Sequence, residues 1–313
     1  MIAFVGRRLI RIVLSLVVVS VVTFGLLQMV PGSYSDIAAV QNGDVQGTSG
    51  LHARYGTDVS PWTRYLRFMW GLVRFDLGPS LKYSNQSVQS IIGHALPVSA
   101  TLAVNAVVLA LVIAIPIGII SAAKRNGRWD YWSMFAVTVA HSVPSYLLAL
   151  ILILGLSRWL HLLPTSGWNG LQTAIMPTLA LALPTAAVLA RYLRSSMIEA
   201  LREDYVLAAM ARGGSTTRAV LTHALRNSLI ALVTVTGPTL ASLATGTVFV
   251  ETIFRIPGLG RFFTDAATSR DVPLLMGTTM CFAAILMLMN LLVDITYGVL
   301  DPRIRAKQTG PQR

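Results

Sequence analysis

The residues predict an all-α polytopic membrane protein of six transmembrane helices with both termini in the cytoplasm. Three observations carry this. The 313-residue chain is 54% hydrophobic and only 12% charged, whereas a soluble domain carries about 25% charged residues. Its apolar residues gather in runs close to the roughly 20 residues a bilayer requires. Its basic residues sit at the ends of those runs, and sixteen of the 25 arginines and lysines fall in segments assigned to the inside. The same clustering explains the net charge of +12 as topology, so no nucleic-acid partner is expected. The single cysteine, Cys281, excludes an intrachain disulfide.

Arg7, Arg8 and Arg11 precede an apolar run from Ile12 to Val30. It is too long for a signal-peptide core and ends at Pro31-Gly32 without a small-x-small site, so it reads as an uncleaved first span. Residues 1–32 thus form an N-terminal transmembrane helix, and the polar residues 33–98 lie outside. Within that segment, Pro61 to Leu77 interleaves aromatic and basic residues at helical spacing, which predicts an interfacial helix on the membrane or on the chain's own bundle.

Residues 99–300 hold five further spans: Ser99–Ala122, Met134–Leu156, Ala174–Ala190, Leu229–Val250 and Leu274–Tyr297. Pro116, Pro144 and Pro184 should kink three of them. The connections are a basic inner loop (124–128), a short outer loop (160–173), an inner hairpin (194–228) and an outer loop (252–272). Residues 301–313 form a cytoplasmic tail.

The hairpin is a charged, helix-prone island between two apolar runs. Good helix formers fill Asp204–Arg212, Gly213-Gly214 breaks the helix, and Ser215 or Thr216 can cap a second one. An amphipathic hairpin projecting into the cytoplasm offers a handle to a soluble partner.

Several chemistries are missing. A P-loop needs lysine directly after glycine, and the three lysines follow Leu81, Ala123 and Ala306, so no nucleotide site of that kind is expected on this chain. The five histidines form no His-x-x-x-His pair, so no helical zinc site is expected. Gly47-Thr48-Ser49-Gly50 matches a trace of some intramembrane proteases, but it lies in a polar loop rather than a span. An ion-driven carrier would show inverted repeats and buried acidic relays, and only Asp294 is acidic within a span. Polar residues inside spans are candidates for a translocation path, foremost Asn105, His141, Ser145 and Asn290, while Ser and Thr there often bond only to backbone.

The hairpin resembles the cytoplasmic loop of permeases in binding-protein-dependent ABC importers, usually written Glu-Ala-Ala-x-x-x-Gly, nine residues, Ile-x-Leu-Pro. Leu207-Ala208-Ala209 with Gly213 matches the first half, with Leu207 in place of Glu. His223-x-Leu225-Arg226-Asn227 stands for the second half, in the form typical of the dipeptide, oligopeptide and nickel branch. Gly214 stands where the family commonly has a larger apolar residue. Further matching stretches are Asp76-Leu77-Gly78 with Ser80, Leu163-Pro164 with Gly167, and Ala190-Arg191 with Arg194-Ser195-Ser196-Met197. Glu251 through Gly260, Arg270-Asp271 with Pro273, and Asp294 with Leu300-Asp301-Pro302-Arg303 complete the set. Their order resembles the first of the two permeases in these systems.

That resemblance implies the type I importer architecture in a bacterial inner membrane, with this chain a transporter subunit rather than an enzyme. It implies a heterodimeric pore with a sister permease, two ATP-binding subunits that carry ATP and Mg, and an extracytoplasmic solute-binding protein. This chain itself would bind no cofactor. ATPase coupling would fall to Asp204, Tyr205, Ala208, Ala209 and Arg212, then Gly213, Gly214 and Ser215, and finally His223, Arg226 and Asn227. The substrate would be a dipeptide or oligopeptide, with nickel, glutathione or another small solute as alternatives.

Overall fold

The computed structural model describes residues 2–29, 60–83, 86–211 and 219–300, with a subset of side chains in 2–5, 207–246 and 296–300 outside the description. The described residues are helical, joined by turns and a single isolated β-bridge between Pro79 and Ser87. In chain order the helices are α1 (Ile2–Met29), α2 (Pro61–Arg74), α3 (Val88–Ala123), α4 (Arg128–Ser142) and α5 (Ser145–Leu152), which runs on as a π-helix (Ile153–Trp159). Then come α6 (Leu171–Ala200), α7 (Asp204–Ala211), a π-helical segment (Ala219–Ala224), α8 (Leu225–Gly246), α9 (Val248–Ile253), α10 (Leu259–Ser269) and α11 (Val272–Leu300).

Among the described residues, four stretches are long and apolar enough to cross a membrane: Gly6–Met29, Val88–Ala123, Leu171–Ala200 and Val272–Ile295. A fifth span results if α4 and α5 with its π-helix count as one, although they meet at 99°. The sequence predicts six. The third predicted span is thus broken: Val143 takes the extended conformation favoured before proline (φ −89°, ψ 119°), and Pro144 starts the next helix. The fifth predicted span corresponds to α8, a 22-residue helix in which several side chains lie outside the description. The helices continue through Pro116 and Pro184.

Two helices outrun their predicted spans for one reason. At the start of α3, Val88, Ile91 and Ala95 are buried while Gln89, Ser90 and His94 are exposed. At the end of α6, Leu193, Met197 and Ala200 are buried while Arg191, Ser195 and Glu199 are exposed. Such amphipathic turns lower mean hydropathy without ending the helix. Likewise the predicted outer loop 252–272 contains α10.

The chain divides into two compact units. The first comprises residues 1–99 and 255–287. Its core joins Val88 and Ile91 of α3 to Ala266 of α10 and Leu274 and Leu275 of α11. Gly277 permits this, since a Cβ there would meet Val88 Cγ1 at 2.6 Å. The second comprises residues 100–254 and 288–313. Its core is rich in alanine, with Ala110 and Ala114 of α3 against Ala182, Ala186 and Ala190 of α6. Small residues let helix backbones approach closely where lipid gives no hydrophobic drive to associate. At Gly118 a Cβ would meet Leu193 at 2.9 Å. Helix α6 is the centre of this unit, with buried residues along its length from Met176 to Ala200.

Candidate coupling site

The hairpin begins where α6 ends. Leu201 to Glu203 turn the chain, with Arg202 N donating to Glu199 O (3.0 Å), and α7 starts at Asp204, an acid placed well in a first helical turn. Val206 is fully buried, whereas Asp204, Tyr205, Ala208 and Ala211 are exposed. At 3.6 residues per turn, Asp204, Ala208 and Ala211 share one stripe roughly opposite Val206. Among its described side chains, helix α7 therefore buries Val206 and presents an acidic, small-residue face flanked by Tyr205. The returning arm docks through Val220 and Ala224, both in the core that contains Leu193, Met197 and Ala200 of α6.

Of the sequence-predicted coupling residues, Arg212, Gly213, Gly214 and Ser215 lie outside the described residues, as does the trace at Ser49. Ala209 lies in α7, His223 in the π-helical segment and Asn227 in α8, their side chains not described, and Arg226 is exposed at the start of α8. The predicted second arm runs from the π-helical segment into α8 without interruption.

A polar clasp holds the base of this element. Arg194, near the end of α6, donates from Nε to Asp130 Oδ1 (2.7 Å) and from Nη2 to Oδ2 (2.8 Å). Ser121, at the end of α3, donates to Asp130 Oδ1, and Asn126 N donates to Oδ2 (2.9 Å). The Asp130 side chain is only 7% exposed and Arg194 26%. The carboxylate thus joins α3, the 124–127 turn, α4 and α6. Sequence reasoning noted Arg194 but missed Asp130 and Ser121. A signal was present, because Asp130 is the one acid beside the basic loop from Lys124 to Arg128.

In the other unit a second carboxylate does similar work. Asp271 is fully buried and caps α11, accepting from Leu274 N (3.1 Å). It also accepts from Ser80 Oγ (2.5 Å), Leu81 N (2.8 Å) and Lys82 N (3.0 Å), fixing the turn before α3. Tyr83 donates to Asp265 (2.9 Å), and burial, together with that carboxylate, pushes its phenol up to about 12.

The predicted translocation residues all fall in the second unit: Asn105 on α3, His141 and Ser145 on either side of the α4–α5 break, and Asn290 on α11. Asn105, His141 and Asn290 are exposed and Ser145 is half-buried. Ser142, Thr185 and Thr236 donate to the carbonyls of Thr138, Leu181 and Leu232, each at 2.8 Å, the local backbone bonding expected of such residues. Among the described residues no cluster of three metal-ligating side chains occurs.

Two family models match. One, described as "Binding-protein-dependent transport system inner membrane component", covers residues 114–306, and one for the N-terminal part of such membrane components covers residues 1–103. The dipeptide transport system permease protein DppB of Bacillus subtilis is 38% identical over 95% of this chain and 96% of its own length. The oligopeptide transport system permease protein OppB of Escherichia coli is 33% identical over 97% of this chain and all of its own. A crystal structure of an amino acid ABC transporter aligns with TM-score 0.54 and 14% identity, over 66% of this chain and 92% of that one, a likeness of fold alone.

Proposed function

This chain belongs to the inner membrane components of binding-protein-dependent transport systems, and on that premise we propose that it forms half of the pore of an ATP-driven peptide importer. It is a multi-pass inner membrane protein and a transport subunit rather than an enzyme. The sister half is a second permease, a solute-binding protein delivers dipeptides or oligopeptides from outside, and two cytoplasmic ATPases bind ATP and Mg. The termini and the hairpin face the cytoplasm.

The observation that carries the reading is near full-length similarity to dipeptide and oligopeptide permeases, together with the exposed face of α7. An isolated permease has no energy source of its own, so free energy must enter through a contact with the ATPases. Helix α7 suits that contact, since Ala208 leaves room for close approach and Val206, on the opposite side, is buried. Closure of the ATPase dimer on ATP draws the two permeases' hairpins together, the pore opens to the loaded binding protein, and hydrolysis resets it. Asn105, His141, Ser145 and Asn290 contribute polar groups along the path.

Ala208→Glu tests this. Ala208 is exposed, so the variant should reach the membrane at the wild-type level, while a bulky charge on the docking face abolishes peptide uptake and the stimulation of ATPase by loaded binding protein. Wild-type uptake by this variant at normal abundance would refute docking through α7.

A further inference from the structure

We propose that α2 is a membrane-interface anchor, with one face packed on the transmembrane helix α1 and a second, aromatic face set among lipid headgroups and upper acyl chains. At 100° per residue α2 divides into three faces. Tyr65, Phe68, Met69 and Leu72 are buried or half-buried. Next to them, Trp62, Leu66, Trp70 and Val73 form a stripe about 80° wide, and each is between 49% and 70% exposed. Arg64, Arg67 and Arg74 occupy the remaining arc, and the helix contains no acid.

Contacts with α1 set the depth of this helix. The Tyr65 hydroxyl is 2.9 Å from Ser20 Oγ, which itself donates to Val17 O (2.7 Å), and the Tyr65 ring lies 5.3 Å from that of Phe24. Arg64 Nη2 donates to Gln28 (3.2 Å). Ser20 lies nine residues inside the Met29 end of the span, about 13 Å along the helix axis. A helix that reaches this far down a span stands at the membrane surface, not above it. Around Ser20, the only buried residue described in α1, Val17, Val18, Val21, Val22 and Leu26 are exposed. The stripe on α2 thus continues a surface already committed to lipid.

Chemistry selects lipid over a protein partner. Tryptophans place an apolar ring and a polar N–H across the headgroup boundary, and arginines beside them meet phosphate while their stems cover apolar surface. The Arg74 guanidinium lies 4.4 Å from the Trp70 ring centroid, joining the two faces where the boundary would run. Three positive charges and no negative one suit lipid phosphates at the headgroup level.

The test uses the transporter purified through a tag on the full chain, with Cys281→Ser, in vesicles of phosphatidylcholine and phosphatidylglycerol. Single nitroxide labels are placed at Leu66, Trp70 and Val73, and at Arg67 and Arg74, on the exposed basic face, for comparison. At the first three positions, oxygen should collide with the label more often than a water-soluble nickel chelate does, and the ratio should invert at the last two. Preferential access by the chelate on all faces would make the stripe a water-exposed surface and overturn the proposal. Loss of access to both reagents would mean that another protein chain covers the stripe, and would overturn the proposal equally. Should labelled variants fail to reach the membrane, lipids brominated near the headgroup give the same reading on unlabelled protein. Trp70→Phe then reduces the quenching of tryptophan fluorescence if the anchor is real and leaves it unchanged if it is not.

Discussion

Breaking the Asp130–Arg194 clasp offers the most direct measure of how the hairpin is held. Arg194→Gln removes both charge-assisted bonds to a carboxylate that is only 7% exposed. Removing one partner of a fully buried pair costs about 3–5 kcal/mol. Arg194 keeps 26% of its side-chain surface in solvent, and Asp130 retains Ser121 and Asn126 as donors. Screening and those remaining bonds lower the expected cost to about 2 kcal/mol. The melting temperature of the purified transporter should then fall, by no more than about 4–8 °C, since the shift shrinks as the cooperative unit grows. Asp130→Asn should do comparable damage, because the amide offers one acceptor oxygen where the carboxylate offered two. The decisive assay is a double-mutant cycle. If the two groups stabilise through each other, the double variant loses little more than either single, with a coupling near 2 kcal/mol. Uptake per assembled transporter should fall alongside, since Arg194 lies ten residues before Asp204 on the helix that leads into the hairpin. Two melting shifts that simply add would show that the residues act independently and refute the clasp.

Asp271→Asn should cost about 2–3 kcal/mol, because one amide oxygen cannot serve all of Ser80, Leu81, Lys82 and Leu274. Faster tryptic cleavage at Lys82 at unchanged membrane abundance is the readout, and a wild-type cleavage rate would count against it. Tyr83 is held neutral up to about 12 against 10.0 for a free phenol, so its contribution is complete below pH 10 and is lost as pH rises from there to 12. In a tyrosinate absorbance titration Tyr83→Phe should remove an ionisation near 12, and loss of one near 10 instead would contradict the burial argument. For topology, in a Cys281→Ser background, cysteines introduced at Ser215 and Gln308 should resist an impermeant thiol reagent in intact cells while one at Ser84 labels. Labelling at Ser215 without permeabilisation would invert the proposed orientation.

Much of the fold was legible because the physics that builds it is local. Apolar runs announce spans, and among the described residues the first, second, fourth and sixth predicted runs coincide with helices long and apolar enough to cross a membrane, while the third is broken. The interleaved aromatics and arginines of Pro61–Leu77 announced α2, which ends three residues earlier, at Arg74. The misses share a cause. Hydropathy summed over a window cannot see that Val88, Ile91 and Ala95 line one side of a helix, nor that Leu193, Met197 and Ala200 do. It also cannot see direction, so a proline that turns the path by 99° reads as a mild kink within one run.

The polar clasps were legible in a different sense. The sequence showed separate stretches that resemble one family, but not why such stretches keep company. Ser80 belongs to one stretch and Asp271 to another 191 residues away, and they share a hydrogen bond of 2.5 Å. Gly167 and Phe254 likewise come from two stretches, and Gly167 N donates to Phe254 O at 2.8 Å. Arg194 comes from a fifth, and its partner Asp130 lay in none. Pairing across such distances leaves no periodicity, so no pattern in one sequence can reveal it. The physical division of labour explains the arrangement. Along the helices, alanine and glycine supply close contact without polar atoms, as at Gly118 against Leu193. At the turns, backbone N–H groups have no helical partner, and a buried carboxylate is the side chain that can satisfy several at once. Asp271 takes three N–H groups and a hydroxyl in this way, and Asp130 takes a guanidinium, a hydroxyl and one N–H. A chain with 13 acidic residues in 313 therefore places two of them where a turn must hold its shape while the helices around it carry the load of transport.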